Sequence, residues 1–212
     1  MTDYHAYISR FAENKEQLIK EMEQYAEEFH VPIMDDAGLN TLIGLLQIQQ
    51  PARILEIGSA IGYSAIRLAA AFPDAFIYTV ERDEERYLKA VEHIERSGLS
   101  ERIQIVHEDA LELDTEKLPE ESFDALFIDA AKGQYQKFFE KYSPFICAKG
   151  VIYCDNMFMH GAVLLDDADL PKRNRTMIRN LHKFTQWAMD NEAYDTSLLP
   201  VGDGILIAVK KE

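Results

Sequence analysis

Between residues 53 and 156, short apolar runs recur, each closed by a glycine, an acid or an amide. They are RILEIG (Arg53–Gly58), FIYTVE (Phe76–Glu81), IQIVHED (Ile103–Asp109), DALFID (Asp124–Asp129) and GVIYCDN (Gly150–Asn156). Runs this short and this apolar predict strands buried on both faces. The spacing between them changes to a helical period. Helices are predicted over Gly62–Ala71 and over Glu84–Arg96, the latter with Leu88, Val91 and Ile94 on one face and Gly98 as its stop. Another precedes the fifth run and carries Phe138, Phe139 and Tyr142. Strands alternating with helices mean βαβ units in a parallel sheet covered on both sides, with the strand C-termini along one rim.

Both ends of the chain depart from that rhythm. Asn14–Phe29 reads as an amphipathic helix that stops before Val31-Pro32, and Asp36–Gln47 as a second with Leu39, Leu42, Ile43 and Leu46 on one side. At the other end a helix over Lys172–Met189 precedes SLLPV and GILIAVK, which Gly202-Asp203-Gly204 separates. That is a hairpin signal and predicts one reversed strand. With no repeat and no low-complexity linker, residues 1–212 read as one domain, of which 1–48 form an N-terminal helical extension.

Composition removes several classes. No apolar run approaches the roughly 18 residues of a membrane span, and the first residues lack the apolar core of a secretory signal. Two cysteines, Cys147 and Cys154, make neither a disulfide framework nor a C-x-x-C site. The default expectation is a soluble cytoplasmic protein. A net charge of −15 opposes attraction of nucleic acid to the surface as a whole. One segment runs against it: PKRNRTMIRNLHK (Pro171–Lys183) holds Lys172, Arg173, Arg175, Arg179 and Lys183 and no acid. Lys172, Arg175, Arg179 and Lys183 form one stripe on a helix, with Met177, Leu181, Phe184 and Ala188 inward. By spacing alone the stripe is as well read as a solvated face as a grip on phosphates.

Two groups of rim residues carry candidate chemistry. EIGSAIGYS (Glu56–Ser64) turns the first strand into its helix with G-x-x-x-G spacing, not the G-x-G-x-x-G of dinucleotide binders. Glu81, closing the second strand, is placed to accept from ribose hydroxyls, and Asp109-Ala110 lies where an adenine amino group would be met. Alternatively both acids are merely polar strand ends. Asp129 closes the fourth strand and Asp155-Asn156 the fifth. Two carboxylates and an amide, with no His or Cys, suit a hard cation such as Mg²⁺. The competing reading is an Asp129–Lys132 ion pair capping a strand end, which leaves the CDN of the next strand unexplained.

The set EIGSAIGYSAIR, VERD, EDAL, FIDAAKGQY and DN resembles the cation-dependent O-methyltransferases of the catechol and caffeoyl-CoA type over roughly residues 30 to 209. Within that family VPIMDDAG, PKRNR and PVGDG resemble the bacterial enzymes that methylate 5-hydroxyuridine at the tRNA wobble position. The resemblance implies an α/β Rossmann-like class I methyltransferase fold, with a mostly parallel seven-stranded sheet and one antiparallel strand. It implies S-adenosylmethionine bound by Met34, Glu56, Gly58, Ser64, Glu81, Asp109, Ala110 and Asp129. It also implies Mg²⁺ or a similar divalent ion on Asp129, Asp155 and Asn156, with Lys132 and Asp129 catalytic and Lys132 as general base. Lys172, Arg173, Arg175 and Arg179 would meet the tRNA anticodon loop, and a homodimer is expected. One departure is plain: where catechol members carry His-Trp after the metal aspartate, this chain has Ala130-Ala131. A second acceptor class, small catechols and other vicinal-oxygen phenolics, stays open, as does a binding module without catalysis.

Overall fold

The computed structural model describes residues 15–119, 122–166 and 168–212. The first fourteen residues of the expected extension, including the expected helix start at Asn14, lie outside the described residues. The elements are α1 (Gln17–Glu28), α2 (Asp36–Gln49), β1 (Arg53–Ile57), α3 (Tyr63–Ala71), β2 (Phe76–Glu81), α4 (Glu84–Ser97) and β3 (Ile103–His107). They continue with β4 (Phe123–Ile128), α5 (Tyr135–Tyr142), β5 (Ile146–Cys154), α6 (Lys172–Met189), β6 (Tyr194–Leu199) and β7 (Ile205–Lys210). Among the described residues no helix is long and apolar enough to cross a membrane.

The strands form one seven-stranded sheet in the order β3-β2-β1-β4-β5-β7-β6. All pairs from β3 to β5 are parallel, and β7 runs antiparallel to both its neighbours. This is the expected architecture, reversed strand included. The expected strands of the terminal hairpin are corrected in extent, since β6 begins at Tyr194 rather than within SLLPV.

Period-two alternation divides the core. Ile54, Ile77, Ala125, Phe127 and Tyr153 pack under α1 to α4, while Leu55, Ile57, Tyr78, Val80, Leu126, Ile128 and Ile152 pack under α5 and α6. Covered on both faces, the strands carry most polar side chains at their ends, and Glu56 and Thr79, buried within β1 and β2, bond to each other. Register aligns those ends: Ile57 pairs with Val80 and Ile128, Ile128 with Cys154, and Glu81 with His107. Each following residue therefore emerges at one rim.

Two helical faces differ from expectation. On α4 the buried positions are Ala90, His93 and Ile94, and Leu88 is 58% exposed. The face is chosen by small Ala90, whose Cβ would touch a Cβ on Gly62 at 3.4 Å, not by the largest aliphatic residue. On α6 Ile178 replaces Met177 in the buried row with Leu181, Phe184 and Ala188.

The N-terminal helices are tied to α3 by polar contacts. Tyr63 Oη donates to Glu23 Oε1 at 2.5 Å, Lys15 Nζ binds Glu23 and Asp36, and Arg67 Nη2 donates to Asn40 Oδ1 at 2.9 Å.

Candidate active site

The loop from β1 to α3 is built on left-handed residues: Gly58 (φ 99°), Ala60 (φ 45°) and Gly62 (φ 81°), the last capping α3. Gly58 was expected to let the backbone pass close to a ligand. The structure supplies a different neighbour, since a Cβ there would lie 2.1 Å from the carbonyl oxygen of Asp129. The amides of Gly58 and Ser59 both donate to Val80 O, and that of Ala60 donates to Glu81 Oε2 at 2.8 Å. Glu81 Oε1 accepts from the amides of Arg82 at 2.9 Å and Asp83 at 2.8 Å. Three backbone donors thus fix the Glu81 carboxylate at the rim, and Oε2, with a single donor, retains acceptor capacity.

The remaining expected donor-binding residues occupy distinct layers. Asp109 is half-exposed, with Oδ1 accepting from the Leu111 amide at 2.8 Å, and Ala110 O accepts from Tyr142 Oη. Met34 is buried in the core under the N-terminal helices, its methyl against Gly38. Glu56 lies wholly inside, its oxygens accepting from Ser64 Oγ and Thr79 Oγ1. The expectation that Glu56 meets a ligand is corrected to a supporting position beneath Ser64. Burial pushes its carboxyl up to about 7, against the hydroxyl donors that pull the other way. Ser59 Oγ is buried and has no partner, so one polar atom in this loop is left for a ligand to satisfy.

At the next two strand ends, Asp129 N donates to Ile57 O and Asp155 N donates to Ile128 O. The two aspartates thereby become neighbours across adjacent strands. Burial, and then the Asp129 charge, push the Asp155 carboxyl well above the usual range. Asp155 Oδ2 accepts from Asn156 Nδ2 at 2.8 Å, while the buried Oδ1 has no partner. Asn156 holds a left-handed backbone (φ 53°). Lys132 Nζ donates to Asp129 Oδ1 at 2.7 Å and lies 5.5 Å from the centre of the Tyr135 ring. Among the described residues no three His, Cys, Asp or Glu side chains gather as a metal cluster. The expected set, two carboxylates and an amide, fits a hard cation on other grounds. It has an orphaned buried carboxylate oxygen, like charges side by side, and oxygen donors alone.

Beside this set lies a cavity of about 640 Å³ lined by Asp35, Phe158, His160, Val163, Leu164 and Asp203, among others. Its wall is the segment after β5, where Met159, His160 and Gly161 are all left-handed. The β6–β7 turn holds that wall: Met157 N donates to Gly204 O, Phe158 N to Asp203 O, and His160 N to Asp203 Oδ1. Asp35 caps α2 through Gly38 N and approaches Gly202 from the opposite side.

The basic stripe is only partly a surface. Lys172, Arg173, Arg179 and Lys183 are exposed. Arg175, expected to face RNA, instead folds back, donating to Leu170 O at 3.1 Å and Ala168 O at 3.2 Å. Those carbonyls precede α6 and lack helical partners, which a long guanidinium can reach and satisfy. Sequence reasoning missed Asp35, His160 and Asp203 as cavity residues, because the glycines around Asp203 were absorbed into a hairpin signal. It also passed over His93, whose burial shows only in a spacing with Ala90 and Ile94.

A mostly parallel sheet with one reversed strand, a glycine loop after the first strand and an acid closing the second define a Rossmann-like methyltransferase. The family described as O-methyltransferase matches the chain over residues 9–211. The caffeoyl-CoA O-methyltransferase of Stellaria longipes is 29% identical over 214 residues, which cover 95% of this chain and 87% of that protein. The catechol O-methyltransferase of Niastella koreensis is 30% identical over 175 residues, covering 79% and 77% respectively. The solved structure of the O-methyltransferase from Bacillus cereus in complex with SAH superposes with a TM-score of 0.85 at 28% identity, covering 99% of this chain and 98% of that one. This chain belongs to the O-methyltransferase family. Its activity is S-adenosylmethionine-dependent O-methyl transfer.

Proposed function

We propose that the acceptor is one oxygen of a vicinal pair on a ring, and specifically the 5-hydroxyl of 5-hydroxyuridine at the tRNA wobble position. One observation carries this reading. Of the three stretches that resemble the tRNA-methylating enzymes, VPIMDDAG, PVGDG and PKRNR, the first two are far apart in sequence and meet at one cavity. Asp35 comes from the first and Gly202 and Asp203 from the second. Arg175 of the third secures the end of the segment that forms the cavity wall. Lys172 and Arg173 are exposed and would serve as phosphate contacts in this reading.

In this reading Glu81 and Asp109 orient the ribose and adenine of the donor, and Asp129, Asp155 and Asn156 hold a divalent cation. When bound, that cation supplies Lewis acidity to the vicinal oxygens. Transfer breaks the donor's S–CH₃ bond, forms O–CH₃ and leaves a neutral thioether, so the hydroxyl proton must go elsewhere. Lys132 receives it. At rest its ammonium is paired with Asp129, so it must first give up a proton to solvent, and the neutral amine then takes the proton of the hydroxyl.

Catechols present the same two neighbouring oxygens, and the apolar Phe158, Val163 and Leu164 favour them as a second reading. The test is methyl transfer from labelled S-adenosylmethionine, with and without Mg²⁺, to 5-hydroxyuridine-containing tRNA and to a catechol panel. Metal-dependent labelling of the tRNA is the expected result. Labelling of catechols alone would transfer the site to small phenolics and leave the basic stripe as a solvated face.

A further inference from the structure

The loop Gly58–Gly62 rests on α4 at two points one turn apart. Gly62 packs on Ala90, and His93 Nδ1 lies 2.9 Å from the carbonyl oxygen of Ile61. We propose that His93 is a positioning residue for the methyl donor, holding the Ile61 carbonyl and with it the left-handed turn from Ala60 to Gly62. The inference rests on the reading that this loop receives the donor.

Ala60 N donates to the Glu81 carboxylate, and several further loop amides are held by backbone. Gly58 N and Ser59 N donate to Val80 O, Gly62 N donates to Ser59 O, and Ile66 N donates to Gly62 O. Ile61 is fully buried, and its carbonyl takes its hydrogen bond from a side chain instead. A buried carbonyl deprived of its donor is costly, and the loop would shift to recover one. A carbonyl only accepts, so Nδ1 carries the proton and Nε2 the lone pair in the neutral ring. Burial favours that neutral form, lowering the imidazole below its ordinary value despite the pull of the Ile61 carbonyl. The ring is 2% exposed and sealed from the other side by α1, whose Tyr25 meets it edge-on at 6.2 Å. His93 thus joins the N-terminal helix, α4 and the donor loop at one point, without touching the donor itself.

A histidine that merely filled space would be replaced at no selective cost to the donor. The test compares His93→Leu, which keeps volume and loses the N–H, with His93→Asn, whose amide N–H stands where Nδ1 stood. Affinity for S-adenosylhomocysteine is read by calorimetry, and KM for S-adenosylmethionine and kcat in the labelling assay, with thermal unfolding alongside. His93→Leu should weaken S-adenosylhomocysteine roughly tenfold and raise the donor KM in step, as loss of one donor to a buried carbonyl implies. At saturating donor, kcat should stay within about twofold, since the bond acts on binding and not on the transition state. His93→Asn should restore affinity to within about threefold. Equal losses in both variants, or unchanged affinity in His93→Leu, would overturn the proposal. If His93→Leu does not fold, His93→Gln takes its place, because its longer amide imitates the other ring nitrogen and should weaken affinity as leucine would. Glu81→Ala is the control on the underlying reading. Unchanged affinity there would move the donor elsewhere, whereas a loss there with His93→Leu unaffected would sink the inference alone.

Discussion

Gly58 and Asp129 are in backbone contact across two strand ends, so close that no Cβ fits between them: it would stand 2.1 Å from the Asp129 carbonyl oxygen. The donor loop and the first candidate metal ligand are therefore one rigid unit. Gly58→Ala should cost at least about 2 kcal/mol in folding stability, from the forced left-handed alanine and the clash together. Urea unfolding measures the loss. Binding of S-adenosylhomocysteine should weaken in the same variant, since the loop cannot move away without displacing Asp129.

The orphaned Asp155 Oδ1 and the neighbouring Asp129, whose Oδ1 is paired with Lys132, offer carboxylate oxygens to a cation. Added Mg²⁺ or Mn²⁺ should therefore raise the melting temperature in a concentration-dependent way, approaching about 2.7 kcal/mol at a hundredfold excess over Kd. Asp155→Asn should abolish that response. Without metal the variant should be at least as stable as the native chain, because the replaced group was held for chemistry rather than for folding. A metal response that survives the substitution would put the ion elsewhere.

Glu56 gives a pH dependence of definite sign. Its folded carboxyl sits at about 7, against an ordinary 4.5, because of burial. Between those values the native state binds more protons than the unfolded chain, so stability falls as pH rises through the window and then levels off. The change amounts to roughly 3 kcal/mol. Glu56→Gln should remove most of that decline. Urea unfolding of both proteins at pH 5 and pH 8 isolates it as a difference of differences.

Arg175 and the pair Lys172 and Arg173 should separate cleanly. Arg175→Ala frees two carbonyls before α6 and should cost about 1 kcal/mol of stability. Lys172→Ala with Arg173→Ala should leave folding and catechol turnover unchanged, weaken tRNA binding, and lower the salt dependence of that binding by about two counterions. An unchanged salt slope would remove this end of the stripe from any RNA contact.

Much of this was readable before the structure. The rim residues were, because a strand buried on both faces tolerates charge only where it ends, so Glu81, Asp129 and Asp155 announce themselves. The helix faces were less so. Leu88 looks inward by type yet stays outside, because the contact belongs to Ala90 and Gly62, where smallness and not hydrophobicity decides. Arg175 carries the charge that suggested RNA, but sequence does not say which way a long side chain folds, and unpaired carbonyls nearby claimed it. Glu56 lies in a motif expected to meet the methyl donor, while its place in the strand turns it to the interior. Asp203 was hidden for a related reason: its work is done on the backbone of Phe158 and His160, far earlier in the chain.

That long-range hold has a consequence for how the molecule is assembled. The loop after β1 and the acids that follow it, Gly58 to Asp109, precede β4, and β4 then brings Asp129 against Gly58. The cavity needs Gly202 and Asp203, made long after Asp109, and strand β7 must insert beside β5 in reverse before the wall is held. A growing chain can thus shape the loop and its acids before the cavity wall is held. The wall takes its place beside them only when the β6–β7 hairpin closes.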